Sequence, residues 1–309
     1  MRKQFKAAGI KISTGVPSIP LQLVPVGKYS ITAAQAAAES DVGIMPLTVL
    51  GAEASTVTAG LTSPAVARNA KIDASAAITG DVTVHGKRAG KAISETIALD
   101  GTTAVPGSLA FDEVNQIDLP ARTTTPAKQK ATSEVTQGAQ GAGSTIFTFV
   151  SAQTGAAFDV SVAFAVGDDT VAEAAVKLAA GLNANATFAA KWLAVAADAN
   201  VTIESKAFAA QDATINLTVK TAGVSAITLG AIAVDTVAGA AEDKVSVGWG
   251  KKFGLPCMVK APEQVFVKLF NNAADTGTVT ADADELEKNV LALNGTPDGL
   301  KPIDLFILV

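Results

Sequence analysis

Cysteine and histidine are almost missing from this chain of 309 residues: each occurs once, as Cys257 and His85. A single cysteine excludes an internal disulfide framework and a cysteine-based zinc site, and it suits folding in a reducing cytoplasm. A single histidine leaves any serine or cysteine hydrolase with one candidate base. Aromatic residues are 5% of the chain, which leaves few stacking platforms for a sugar. Basic residues number 24 against 29 acidic ones, and no basic stripe marks a nucleic-acid face. Apolar runs long enough to span a bilayer are missing too. Met1-Arg2-Lys3-Gln4-Phe5-Lys6 opens like a signal peptide, but Lys11, Ser13, Thr14 and Pro17 interrupt the apolar stretch that should follow. These absences predict a soluble protein made in the cytoplasm, with no membrane and no specific nucleic acid among its partners.

The chain is rich instead in small apolar side chains. Hydrophobic residues are 49% of it, much of that Ala and Val, and the mean hydropathy is +0.34. Val and the abundant Thr favour strands. A soluble chain this apolar hides surface in subunit contacts, which predicts a homo-oligomer or a larger assembly. Short strand-like runs recur at 44–50, 70–74, 81–86, 94–99 and 114–119, with Asp100-Gly101 and Pro120 as turn signals. That spacing predicts a sandwich or barrel. Residues 121–143, rich in Thr and Gly, read as a linker.

A second style follows. Strands are expected at 145–150, 158–164, 192–196, 201–205, 213–219 and 227–234. Between them Thr170 and Glu173 have capping-box spacing, and Val171, Ala174, Ala175, Leu178 and Leu182 recur at helical spacing. Gly181 or Asn183 is expected to stop that helix. Residues 239–243 read as an exit linker, after which the first style resumes at 245–250. Further strands are expected at 255–259, 265–270 and 302–309, with a short helix or polar loop at 284–293.

The predicted fold class is mainly β: a β-sandwich or barrel-like host domain interrupted by a small α+β guest domain. Residues 1–43 form an N-terminal arm, 44–122 plus 243–309 the host, and 144–241 the guest. Prolines 17, 20 and 25 punctuate the arm, which is either an extended segment laid on a neighbour or a tail without fixed structure. Its Ala-rich residues 31–40 suit a short helix or a loop. Three units in a row fit the linkers less well, because guests enter hosts at exposed loops.

Few residues offer chemistry. His85 sits in an alternating run beside Gly86 and reads as an ordinary strand residue. Cys257 follows Pro256 in an apolar stretch and reads as a structural thiol. Asp168-Asp169 suits helix capping. Asp282, Asp284, Glu285 and Glu287 would suit a hard cation but lack the Gly-punctuated spacing of a calcium loop. Gly138-Ala139-Gln140-Gly141-Ala142-Gly143 has no Lys-Ser or Lys-Thr after it, so it reads as a flexible linker and not a phosphate loop. Gly248-Trp249-Gly250-Lys251-Lys252 reads as a turn with a packed Trp. The sequons at Asn185, Asn200, Asn216 and Asn294 read as chance without a signal peptide. No catalytic, cofactor-binding or metal-ligating residue is assigned, and the chain is expected not to be an enzyme.

Some longer stretches carry a resemblance. Gly80-Asp81-Val82-Thr83-Val84-His85-Gly86, Ile93-Ser94-Glu95-Thr96-Ile97-Ala98-Leu99-Asp100-Gly101-Thr102-Thr103-Ala104-Val105 and Phe111-Asp112-Glu113-Val114-Asn115-Gln116-Ile117-Asp118-Leu119-Pro120 are similar to a recurrent pattern in tailed-bacteriophage virion proteins. So are Val245-Ser246-Val247-Gly248-Trp249-Gly250-Lys251-Lys252-Phe253-Gly254-Leu255-Pro256 and the final Ile303-Asp304-Leu305-Phe306-Ile307-Leu308-Val309. The middle unit looks like a module inserted in many phage structural proteins. The resemblance implies a virion protein synthesised in the cytoplasm of a host bacterium. Its partners would be other virion proteins, such as a major capsid protein or tail subunits. A head decoration or stabilising protein is the leading expectation. A tail-tube or tail-surface subunit, and a host-surface binding module carried by the guest, are the alternatives.

Overall fold

The computed structural model of the chain describes residues 25–308 and is mainly β, with antiparallel pairing throughout its sheets. The first strands are β1 (Val26–Ile31), β2 (Ser40–Val49), β3 (Ser55–Val57), β4 (Arg68–Ala74), β5 (Asp81–Arg88), β6 (Lys91–Ala98), β7 (Val105–Phe111) and β8 (Glu113–Leu119). Period-two alternation builds them: in β5, Val82 and Val84 are buried while Asp81 is exposed. β5 and β6 join through a two-residue hairpin at Ala89 and Gly90, whose φ values of 49° and 82° are those of a type I′ turn. Asp100 and Gly101 make the expected turn, closed by the Thr103 amide donating to the Asp100 carbonyl.

Next come β9 (Lys130–Gln137), β10 (Gly143–Val150), β11 (Phe158–Phe164), α1 (Val171–Ala184), α2 (Ala186–Lys191), β12 (Trp192–Ala197), β13 (Asn200–Ser205), β14 (Asn216–Thr221), β15 (Thr228–Leu229) and β16 (Ala233–Val237). They form two sheets, β11-β10-β14 and β12-β13-β9-β15, with β16 also paired to β9. The capping box forms at the start of α1, where Thr170 and Glu173 each bond the other's backbone. Every fully buried member of this core lies between Ala131 and Ile227, and Trp192, Phe147, Phe149 and Phe188 are its largest side chains.

The chain ends with β17 (Lys244–Gly254), β18 (Val265–Phe270), β19 (Ala273–Ala274), β20 (Thr278–Thr280), β21 (Val290–Ala292) and β22 (Ile303–Leu308). β17 pairs with β2, β4 and β21. It gives Val245 and Val247 to a core shared with Ile72, Val84, Phe111 and Ile117. Further along, it gives Phe253 to a second core shared with Ile31, Val265, Leu291 and Leu305. Arg68, 2% exposed, stands where the two cores meet: it donates to the carbonyls of Gly250 and Ala37, and its guanidinium lies 4.7 Å from the Phe253 ring centre. Burial pushes its pKa down to about 10, so it stays charged near neutral pH. The chain leaves and re-enters this half at adjacent points. Ala127 and Ala240 exchange both backbone hydrogen bonds, and the buried Asp243 carboxylate accepts from the Thr123 amide, the Thr123 hydroxyl and the Thr124 amide.

Several expectations need correcting. The stretch 121–143 is not all linker, because β9 lies inside it and buries Ala131 and Val135. Gly138 to Gly143 is tied down: Ala139 is buried, its amide donates to Asp168, and the Gln140 amide donates to Ser225. The helix runs past Gly181 and Asn183 to Ala184. A Cβ on Gly181 would come within 2.5 Å of Val162, so this glycine allows close packing on β11. Asn183 instead bonds both the amide and the carbonyl of Ala194, and Asn185 ends α1 and caps α2. Residues 255–259 are buried at Leu255 and Val259 but form no strand: Pro256 cannot donate, and Asn289 accepts from both the Leu255 and Val259 amides. Residues 284–293 hold one 3₁₀ turn and β21. Of the two readings for 31–40, the loop holds: residues 32–39 are a hydrogen-bonded turn and loop between β1 and β2. Within the expected arm, residues 26–31 pair with this chain's own β22, and residues 1–24 lie outside the described residues.

Gly248 to Lys252 is the centre of β17 and not a turn. A Cβ on Gly248 would come within 1.6 Å of the Ser40 carbonyl oxygen on β2. Gly248→Ala is therefore expected to destabilise the fold by about 2–4 kcal/mol. Gly167→Ala, where nothing lies within 4 Å, should stay within about 0.5 kcal/mol of the parent. Urea unfolding of both variants checks this.

Candidate functional site

His85 and its surroundings form a hydrogen-bonded polar cluster on a sheet surface. β5 lies between β8 and β6, so register sets Gln116, His85 and Ser94 in one row across three strands. The His85 Nε2 lies 2.7 Å from Asp118 Oδ2. The other Asp118 oxygen accepts from the Thr56 hydroxyl and the Gln116 amide. The hydrogen bond from Thr56, with help from His85 and Gln116, holds the Asp118 carboxyl below its ordinary value despite partial burial. A shallow depression of ≈ 270 Å³ beside the ring is lined by His85, Gly86, Ala92, Ile93, Ser94 and Asn115. The imidazole nitrogen that reaches Asp118 is the outer one, and no hydrogen bond joins Ser94 to His85 among the described residues. The group latches the short edge strand β3 onto β8 through Thr56, and a nucleophile–base contact is not built.

The other singled-out residues also have partners. Cys257 is half-buried beside the core of Phe253 and Leu305, and burial pushes its thiol pKa up. Asp168 is buried and accepts from the Ala165 amide, closing a turn before the Thr170 cap. Asp282 accepts from the amides of Asp284 and Glu285, Lys288 pairs with Glu285, and Glu287 pairs with Lys91. Trp249 packs against the first core, with Gly43 close to its indole.

Two further surfaces stand out. One is a groove of ≈ 560 Å³ between β14 and β15, lined by Leu217, Val219, Ile227, Leu229 and Ile232 with Thr218 and Thr228. Both bordering strands are sheet edges. The other is the outer face of β1-β22-β18. Its inner side chains Ile31, Leu305 and Ile307 are core. Its outer side also carries apolar residues: Val26 and Phe266 are half exposed, and Phe306, Leu308, Val267 and Leu269 are partly exposed. The Phe266 and Phe306 rings lie 6.4 Å apart. An antiparallel sheet with one wet face usually alternates apolar and polar residues; here the outer face carries this apolar group beside the polar Lys28, Ser30 and Asp304.

No protein-family model, no curated protein and no solved structure matches the chain.

Because Asp118 is stabilised as the anion in the folded state, its contribution is complete above its unfolded pKa. It is lost as pH falls through the lower folded value. Asp118→Asn should therefore flatten the acid side of the stability curve below about pH 4, by no more than about 1 kcal/mol given the exposure of the pair. Thermal melts between about pH 2.5 and 7 test this, and an unchanged acid limb contradicts it.

Proposed function

We propose that the chain is a non-enzymatic structural subunit of a bacteriophage virion, acting as a decoration or stabilising protein on the outside of the head. The observation that carries the reading is the sheet with apolar residues on both faces, a feature of surfaces covered in an assembly. The resemblance of residues 80–120, 245–256 and 303–309 to virion proteins supplies the setting. Association here gains buried apolar area, at about 25 cal/mol per Å², without any bond being made or broken. Antibody labelling of purified particles tests it: label on heads supports the reading, and heads without label overturn it.

In the same proposal, residues 44–122 plus 243–309 act as a host, and the core between Ala131 and Ile227 is a guest. The paired crossing at Ala127 and Ala240 and the Asp243 clamp support that division. The open groove between β14 and β15 favours a second role for the guest as a binding module, since edge strands accept an added strand. Replacing residues 127–240 by a short Gly-Ser link should leave a folded host that still joins particles. Loss of the cooperative thermal transition in this variant would show the two cores to be one unit.

A further inference from the structure

We propose that residues 1–24 of a neighbouring copy cover the outer face of β1-β22-β18. The inference deepens the assembly reading and rests on it. The face needs a cover, because Val26, Phe266, Phe306 and Leu308 form a contiguous apolar strip across three strands. The chain preceding β1 enters the sheet at this strip, since Val26 pairs with Leu308. Pro25, the residue before β1, lacks the N–H that a ladder bond would need. A neighbouring copy is the occupant proposed, in keeping with the assembly reading. The reach suffices, because 24 extended residues span roughly 80 Å at about 3.3 Å each.

Composition also fits. Residues 1–24 carry Arg2, Lys3, Lys6 and Lys11 and no acidic residue, which leaves 20 basic against 29 acidic residues in 25–309, a balance of −9. Ile10 and Ile12, and Ile19, Leu21 and Leu23, recur at every second position, so an extended segment would present them on one side. Pro17 and Pro20 lack the N–H that a continuing ladder requires, which suits packing on a face better than adding a strand. Lys28, 3.0 Å from Asp304 and 5.9 Å from the Phe306 ring centre, marks the polar rim.

The test uses the full chain, a chain lacking residues 2–24, and a fluorescent peptide of residues 1–24. Sedimentation should show concentration-dependent association of the full chain and a monomer after truncation. The peptide should bind the truncated chain, and Phe266→Glu should weaken that binding at least about ten-fold. Phe208→Glu, at an exposed site between β13 and β14, should not change it. Val26→Lys serves as a second variant should Phe266→Glu lower the melting temperature. Equal association with and without residues 2–24, or equal peptide binding by Phe266→Glu, overturns the proposal. So does a photo-cross-linker at position 21 that links only within one chain. None of these readouts needs a virion, so failure here is distinct from failure of head labelling.

Discussion

One strand, β17, holds the described structure of the first and last thirds of the chain together. Its eleven residues pair with β2, β4 and β21, and they feed two hydrophobic cores in turn. Each buried Val or Phe on it contributes about 1.5–3 kcal/mol by removal from water. The strand can lie so close to its neighbours only because Gly248 and Gly250 present no side chain to Ser40 and Asn69. Arg68 then fills the remaining gap. Its charge is held by the Gly250 and Ala37 carbonyls and the Phe253 ring, with no salt bridge to it among the described residues and Glu39 acting only through space. Removing those carbonyls would leave an uncompensated buried cation.

Much of this frame was legible in the sequence, where local rules decide. Alternation marked β5 and β6, an apolar run marked β22, and the capping box of α1 needs only Thr170 and Glu173. Elsewhere distant partners decided. β9 buries Ala131, Ser133 and Val135, side chains too small or too polar to signal a core strand, and Ser133 is satisfied by the Gly230 carbonyl 97 residues away. Gly-Trp-Gly suggested a turn because its glycines look like punctuation, yet they answer to β2 and β4. Asp243 closes on Thr123 and Thr124, 120 and 119 residues earlier in the chain. The His85–Asp118 pair depends on a strand register that spacing alone does not give.

The surfaces follow from the same frame. Ala127 and Ala240 pair where the chain leaves and re-enters the sheets around β17, which begins four residues later. Polar faces such as Thr56, Gln116 and His85 are satisfied among themselves and stay wet. The face of β1, β22 and β18 differs, since its outer side carries Val26, Phe266, Phe306 and Leu308 beside Lys28 and Asp304, with no core packed on them among the described residues. The proposed function rests on that apolar strip, offered as a surface for another chain.

Hydrogen–deuterium exchange of the full-length chain, read residue by residue, tests the role of β17 most directly. If β17 anchors both cores, the amides of Val245 to Phe253 and their β4 partners exchange slowest in this half of the chain and lose protection together in denaturant. Fast exchange along β17, comparable to the edge strands β3 and β20, with β5 and β22 still protected, would contradict the account.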